Sequence, residues 1–369
     1  MKNISRALAL TGAGILTRAA CGTAPETGGD GGNAGSDGGS GGTDYKACMV
    51  SDSGGWDDKS FNESSHNGLE AAESELGIQT QTAESTAVSD FEPNINNLVS
   101  ADCNLVFTVG FLLAPATGNA AQANPDVNFA IVDSTAQDAD GNPIELDNVK
   151  PIEFNTAEAA FLAGYLAAGM SETGKVATYG GMDIPTVTIF MDGFKQGVEY
   201  YNEENGTSVE VFGYQGGDQG SFTGGFAAND TAKQVAAGII DQGVDVILPV
   251  GGPIYQSAID AIRDSGRDIA LIGVDADFFV TDESTQDFVL TSILKQMDVS
   301  VYDAIVAAAG GDTNTDAYVG TLENGGVGLA PLHNFEDRVD PALWQAVQDL
   351  QDQIISGELT VTSYLEGQG

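Results

Sequence analysis

The chain has 369 residues, 42% of them hydrophobic, enough for two lobes that each build a core of their own. Its 54 acids against 13 bases give a formal net charge of -41. That balance excludes a nucleic-acid partner and argues against adhesion to anionic lipid head groups, although adaptation to high salt is compatible with it.

Residues 1–21 read as an export signal. Lys2 and Arg6 supply the positive start, residues 7–15 a short apolar core, and Ala19-Ala20-Cys21 a small-residue cleavage site. The apolar core is too short to span a bilayer as a permanent helix. A cysteine after two alanines resembles a lipobox, which would make Cys21 the lipid-carrying first residue of the mature chain. Arg18 stands where lipoboxes normally carry an aliphatic residue, so ordinary secretion is the alternative. Residues 22–43 are nearly all Gly, Ser, Thr, Asp and Asn and cannot offset the entropy of ordering. They read as a flexible tether spanning roughly 25 Å.

From residue 44 the pattern becomes βα. Residues 47–50 read as a first strand, followed by a glycine turn and a helix with Leu69, Ala72 and Leu76 on one face. Strands follow at 78–82, 105–109 and 127–132, with helices around residues 95–99 and 115–124. Strands that are apolar throughout, separated by helices, imply a parallel sheet covered on both faces. A long helix opens at 154–170 with Thr156 as its cap, and a second alternation begins. Its strands fall at 176–179, 209–214, 244–250 and 269–274, and its helices near 185–204, 229–242 and 254–265. Residues 288–292 read as a strand crossing between lobes. A helix at 295–309 returns to the first lobe, 318–322 crosses back, and a helix at 341–355 closes the chain. The expected lobes are 44–153 with about 292–317, and 154–291 with about 318–369.

Cys48 and Cys103 are the cysteines left in the body. Their strands would be neighbours, so a disulfide is one reading and two buried thiols the other. Neither has a histidine nearby in sequence, which argues against catalysis or zinc.

Three aspartates, Asp52, Asp133 and Asp275, end strands or begin the turns after them. Ligands of open α/β sheets bind at that edge, and a carboxylate there can accept from paired sugar hydroxyls. Phe61 and Phe190 belong to no continuous apolar stripe and are candidates for stacking a flat ring. Asn62 offers a carboxamide and Trp56 an aromatic in the same turn. Gly251 and Gly252 end an apolar strand and would let the backbone approach a ligand. Lys295 would neutralise repulsion among the carboxylates. As an ordinary helix-opening lysine it would sit at the unfavourable end of the helix dipole.

The stretch Asp52-Ser53-Gly54-Gly55-Trp56-Asp57-Asp58-Lys59-Ser60-Phe61-Asn62 resembles the signature of the basic membrane protein family, the purine-nucleoside-receptor type of solute-binding lipoprotein. Further matches run in order along residues 46–345. They include 129–133, Gly180-Gly181-Met182-Asp183-Ile184-Pro185, Pro249-Val250-Gly251-Gly252, Gly273-Val274-Asp275, 290–295 and 325–331. The resemblance implies an α/β, type I periplasmic-binding-protein fold with two Rossmann-like lobes joined by three crossing strands. It implies a monomeric receptor without cofactor or metal that hands a nucleoside to an ABC importer permease, with a lipid anchor as its membrane contact. It also places Lys295 among the sugar-binding groups. Asp277-Phe278 departs from the family's usual Asp-Gln, which leaves any contact of that glutamine without a counterpart. The rival class is an enzyme, with Asp52, Asp57 and Asp58 around a metal or a nucleoside hydrolase's aspartates in the cleft. A third reading keeps the fold with a sugar or signalling molecule as ligand.

Overall fold

The computed structural model describes residues 44–217 and 219–365. The expected export signal, Cys21 and the tether at 22–43 lie outside the described residues.

Residues 46–154 alternate as β1 (Lys46–Ser53), α1 (Phe61–Leu76), β2 (Gln79–Ser85), α2 (Phe91–Val99), β3 (Leu105–Val109), α3 (Ala114–Ala123), β4 (Asn128–Val132) and β5 (Val149–Phe154). The first strand shows why a sheet forms between helical layers. Ala47 and Met49 point into one core with Leu69 of α1, while Cys48 and Val50 point into another with Phe91 and Ile95 of α2. With a period of two and both faces apolar, every side chain of β1 from Ala47 to Val50 is buried. Cys48 and Cys103 are joined by a disulfide, their Cα atoms 6.0 Å apart.

The second alternation is α4 (Thr156–Met170), β6 (Lys175–Gly180), α5 (Pro185–Asn205), β7 (Glu210–Phe212), β8 (Tyr214–Gly216), β9 (Gln219–Gly220), α6 (Asp230–Ile240) and β10 (Val246–Val250). It continues through α7 (Ile254–Ser265), β11 (Ala270–Asp275), α8 (Phe278–Thr281) and β12 (Val289–Lys295). The chain ends with α9 (Met297–Ala309), β13 (Tyr318–Gly320), β14 (Val327–Leu329) and α10 (Pro341–Ile355). Helices α4 and α5 touch backbone to backbone. A Cβ on Gly164 would lie 2.0 Å from the Phe194 carbonyl oxygen, and one on Gly197 2.0 Å from that of Phe161. This contact fixes α5, which carries Phe190, against the start of the second lobe.

Two six-stranded sheets result, ordered β13-β5-β4-β3-β1-β2 and β14-β12-β11-β10-β6-β7. Within these two sheets all pairings are parallel except β12 with β14, and β8 and β9 form a separate antiparallel pair. The chain passes between the sheets three times, after β5, after β12 and between β13 and β14. At the first passage the Asn155 N–H donates to the Gly320 carbonyl, and at the second the Gln296 N–H donates to that of Gly326.

Four expectations need correction. Residues 149–154 form a strand that the sequence reading left out, because Lys150, Pro151 and Glu153 interrupt its apolar run. The cap position of α4 is Asn155 rather than Thr156, whose hydroxyl donates instead to the Phe154 carbonyl. Gly213, at φ 81, divides the strand expected at 209–214 into β7 and β8. The lobe limits near 292 and 318 also move. β12 stays in the second sheet to Lys295, and β13 still belongs to the first, paired with β5.

Candidate functional site

The carboxyl ends of both sheets line one cavity. Asp52, Phe61, Asn62, Asp133, Phe190, Gly251, Gly252, Asp275 and Lys295 all line it. Trp56 does not. Its ring stacks on His66 of α1, centroids 4.8 Å apart and planes 19° from parallel, which props the glycine turn against the helix.

Asp58 organises the first lobe's share. Its carboxylate accepts from the N–H groups of Ser60, Asn62 and Glu63 at 2.9–3.0 Å, satisfying donors that a helix N-terminus leaves open. Asn62 Nδ2 donates to Asp58 Oδ2 at 3.2 Å and to Asp52 Oδ1 at 3.1 Å. The amide plane is thereby fixed, leaving Asn62 Oδ1 buried and without a partner in the cavity wall. Such an acceptor is costly unless a ligand donates to it.

Asp52 reaches the cavity because Gly110 has no side chain. A Cβ there would lie 2.4 Å from Asp52 Oδ2, and Gly110 holds φ 109. Burial pushes the Asp52 carboxyl up to about 8 against the Asn62 bond, with Asp58, Asp133 and Asp275 adding repulsion. At neutral pH it is therefore mainly a carboxylic acid, able to donate as well as accept.

Lys295, the last residue of β12, is 3% exposed. Its Nζ lies 2.6 Å from Asp133 Oδ2 and 3.8 Å from Asp275 Oδ1. The same ammonium sits 5.4 Å from the Phe61 ring centroid and 5.0 Å from that of Phe190, over both faces. Burial raises Asp133 while Lys295 opposes the rise. Burial likewise takes Asp275 up to about 6, again opposed by Lys295. Both aspartates adopt the left-handed region, at φ 63 and 69, which is strained for a residue with a side chain.

Gly251 serves a purpose the sequence did not reveal, which it shares with Gly181 rather than with Gly252. A Cβ on Gly251 would lie 2.7 Å from the Phe226 ring, and one on Gly181 2.4 Å from it. The glycines thus seat Phe226, whose ring lines the cavity from the second lobe. No local pattern marks Phe226. Asp58 did have a signal, as an acid two residues ahead of a helix-opening Ser-Phe-Asn.

The Asp277-Phe278 pair lies off the cavity. Phe278 is buried against Tyr255, ring centroids 4.1 Å apart, and Asp277 pairs with His333 Nε2 at 2.7 Å. Asp52, Asp57 and Asp58 do not converge, since Asp57 is largely exposed and paired with Lys59 while Asp58 caps α1. Among the described residues no group of three or more His, Cys, Asp or Glu is arranged to hold a metal ion. Nor is any helix among them long and apolar enough to cross a membrane.

The family model described as ABC transporter substrate-binding protein PnrA-like matches residues 45–363. The ABC transporter nucleoside-binding protein BmpA of Lactococcus lactis subsp. cremoris is 30% identical over 338 residues, 87% of this chain and 90% of its own length. An uncharacterized lipoprotein of Pyrococcus abyssi is 28% identical over 85% of this chain and 83% of its own. A crystal structure of an ABC transporter solute-binding protein from Aeropyrum pernix superposes with a TM-score of 0.76 at 26% identity, covering 88% of this chain and 94% of that one. With two parallel-sheet lobes, a cavity between their carboxyl edges and a family match along nearly all of the described body, this chain belongs to the PnrA-like substrate-binding proteins of ABC transporters.

Proposed function

We propose that the protein captures a nucleoside, a purine nucleoside by preference, between its lobes and passes it unchanged to the permease of an ABC importer. One observation carries this reading. A single cavity joins aromatic rings from both lobes to buried carboxylates and one lysine. Phe61 and a ring of the second lobe, Phe190 or Phe226, stack the base. Each stack contributes about 1–3 kcal/mol toward the roughly 8 kcal/mol of micromolar binding. Asn62 and Asp52 address the base edge, and Asp133, Asp275 and Lys295 the ribose. The printed name of the Lactococcus relative supports the nucleoside. The acidic lining disfavours the phosphate of a nucleotide.

Binding shifts the population further toward the closed form that the ligand-free chain already samples, because contacts made from both sides exist only in that form. The receptor acts as a monomer held to the extracytoplasmic face of the membrane by a lipid on Cys21. The lipoprotein name of the Pyrococcus relative supports that anchor.

Calorimetric titration with nucleosides, free bases and ribose tests the reading. Stoichiometric nucleoside binding with the ligand recovered intact is the expected result. Release of free base and sugar would establish a hydrolase, and binding of ribose alone a sugar receptor. Asp133→Ala and Asp275→Ala should each weaken nucleoside binding about tenfold or more, the equivalent of about 1.4 kcal/mol. Unchanged affinity in both would remove the ribose assignment.

A further inference from the structure

The turn that opens α1 also reaches across the cleft. The fully buried Ser60 donates its hydroxyl to Asp275 Oδ2 at 2.9 Å and lies 3.3 Å from the Val274 carbonyl. One residue earlier, the Lys59 carbonyl accepts from Thr281 Oγ1 at 3.0 Å. Lys59 and Ser60 belong to the first lobe, whereas Val274, Asp275 and Thr281 belong to the second. Lys59 holds φ 60, an uncommon conformation for a residue with a side chain, and this turns its carbonyl toward Thr281. Ser60 is fixed at both backbone ends, its N–H on Asp58 Oδ1 and its carbonyl on the Ser64 N–H, each at 3.0 Å. Its hydroxyl rotor is the one freedom left.

The consequence falls on Asp275. Its Oδ1 faces Lys295 and its Oδ2 accepts the hydrogen bond of the serine hydroxyl, so the carboxylate plane is fixed from two sides. The lysine partner comes from Asp275's own sheet. The serine comes from the opposite lobe and leaves when the lobes part.

We propose that Lys59 and Ser60 form a cross-cleft latch in which Ser60 orients the Asp275 carboxylate, so that this acceptor is finished only when the lobes are closed. The latch rests on geometry alone, and its effect on a sugar rests on the nucleoside reading above. Discrimination between ribose and deoxyribose is then a property of the closed form. Thr281 contributes to closure without touching Asp275, and the two halves of the latch are separable by mutation.

The test uses the mature protein with Ser60→Ala and Thr281→Val. Small-angle scattering without ligand reads the lobe separation, and both variants should show a larger radius of gyration than wild type. Superimposable curves for all three overturn the latch. Titration with inosine, guanosine and adenosine, each beside its 2′-deoxy form, reads the positioning. Ser60→Ala should lose about tenfold in affinity for the ribonucleosides and much less for the deoxy forms, lowering their ratio several-fold. Thr281→Val should weaken both forms by one common factor of about two to ten. A Ser60→Ala variant that opens the lobes yet keeps the wild-type ratio overturns the orientation of Asp275. Should wild type bind no nucleoside, the nucleoside reading fails while the scattering result still decides the latch.

Discussion

The two lobes are built to one plan and bring different chemistry to the cavity. Read from one edge, the sheets run β2-β1-β3-β4-β5-β13 and β7-β6-β10-β11-β12-β14, so each strand has a counterpart. The plan reaches single residues. Asp133 follows β4 and Asp275 ends β11, both left-handed, while Gly110 follows β3 and Gly251 follows β10, both at positive φ. At the first strand of each lobe the likeness ends. β1 runs into Asp52 and a turn whose Asp58 and Asn62 form a tied hydrogen-bond network. β6 runs into Gly180-Gly181, against which Phe222 and Phe226 lie. After this strand the first lobe therefore supplies a polar edge and the second an apolar wall, whereas Phe61 of the first lobe and Asp275 and Lys295 of the second cross that division. The scaffold decides where a ligand can sit, and the loop after one strand decides what chemistry it meets.

Mutations can break that contrast, the largest effects falling where the lobes depend on each other. Lys295 bridges them, and Lys295→Ala leaves two buried carboxylates facing one another. Removing one partner of a buried pair costs about 3–5 kcal/mol, so chemical unfolding should show a loss of that order. Phe190→Ala should cost a similar amount, about 3–5 kcal/mol, because its ring is buried in the hydrophobic core as well as lining the cavity. A Phe190→Ala protein as stable as wild type would show instead that the ring serves the ligand alone.

Gly110→Ala comes next. The new methyl meets Asp52 at 2.4 Å on a backbone unsuited to alanine, and overpacking of this kind costs about 1–3 kcal/mol. Unfolding midpoints would report that cost, and displacement of Asp52 should weaken nucleoside binding as well. Phe61→Ala tests the first lobe's ring. It is partly exposed, so binding should fall by about 1–3 kcal/mol in a titration while stability changes less than in Phe190→Ala. Phe226→Ala run beside it shows which ring of the second lobe is the partner.

A change of pH probes the same buried carboxylates without a mutation. Asp52 and Asp275 have folded values raised above the ordinary 3.8, to about 8 and about 6. The stability tied to each is fully present below 3.8 and is lost as pH rises through its folded value. Ligand-free protein should therefore melt higher at pH 5 than at pH 9. A difference of about 1 kcal/mol corresponds to roughly 1–2 °C for a chain of this size. Asp90 and Asp138 work the other way, held below 3.8 by bonds from Thr86 and Asn142 respectively. Their contribution is lost only as pH falls below that value, which leaves the pH 5 to 9 comparison untouched.

Most strands and helices of the body were legible because each is a local consequence of side-chain period. The apolar runs at 105–109 and 246–250 can only be strands buried on both faces, and Leu69 with Ala72 can only be the inner stripe of a helix. β5 escaped because Pro151 and two charged residues break its run. What makes it a strand is its place between β4 and β13. The strand-end aspartates, the glycine turn and Lys295 could likewise be singled out, since sheet edges are where α/β folds gather ligands.

By itself, then, the amino-acid order determined the two-lobed α/β plan and the short set of polar and aromatic residues gathered at its strand ends. Tertiary structure alone decided which of them meet. It turned Trp56 onto His66, seated Phe226 on glycines from two separate strands, and set Ser60 against Asp275 across 215 positions of chain. The physical reason is that periodicity and turn chemistry act over a few neighbouring residues. A contact across the cleft depends on how two independently formed sheets face each other, and no stretch of sequence carries that relation.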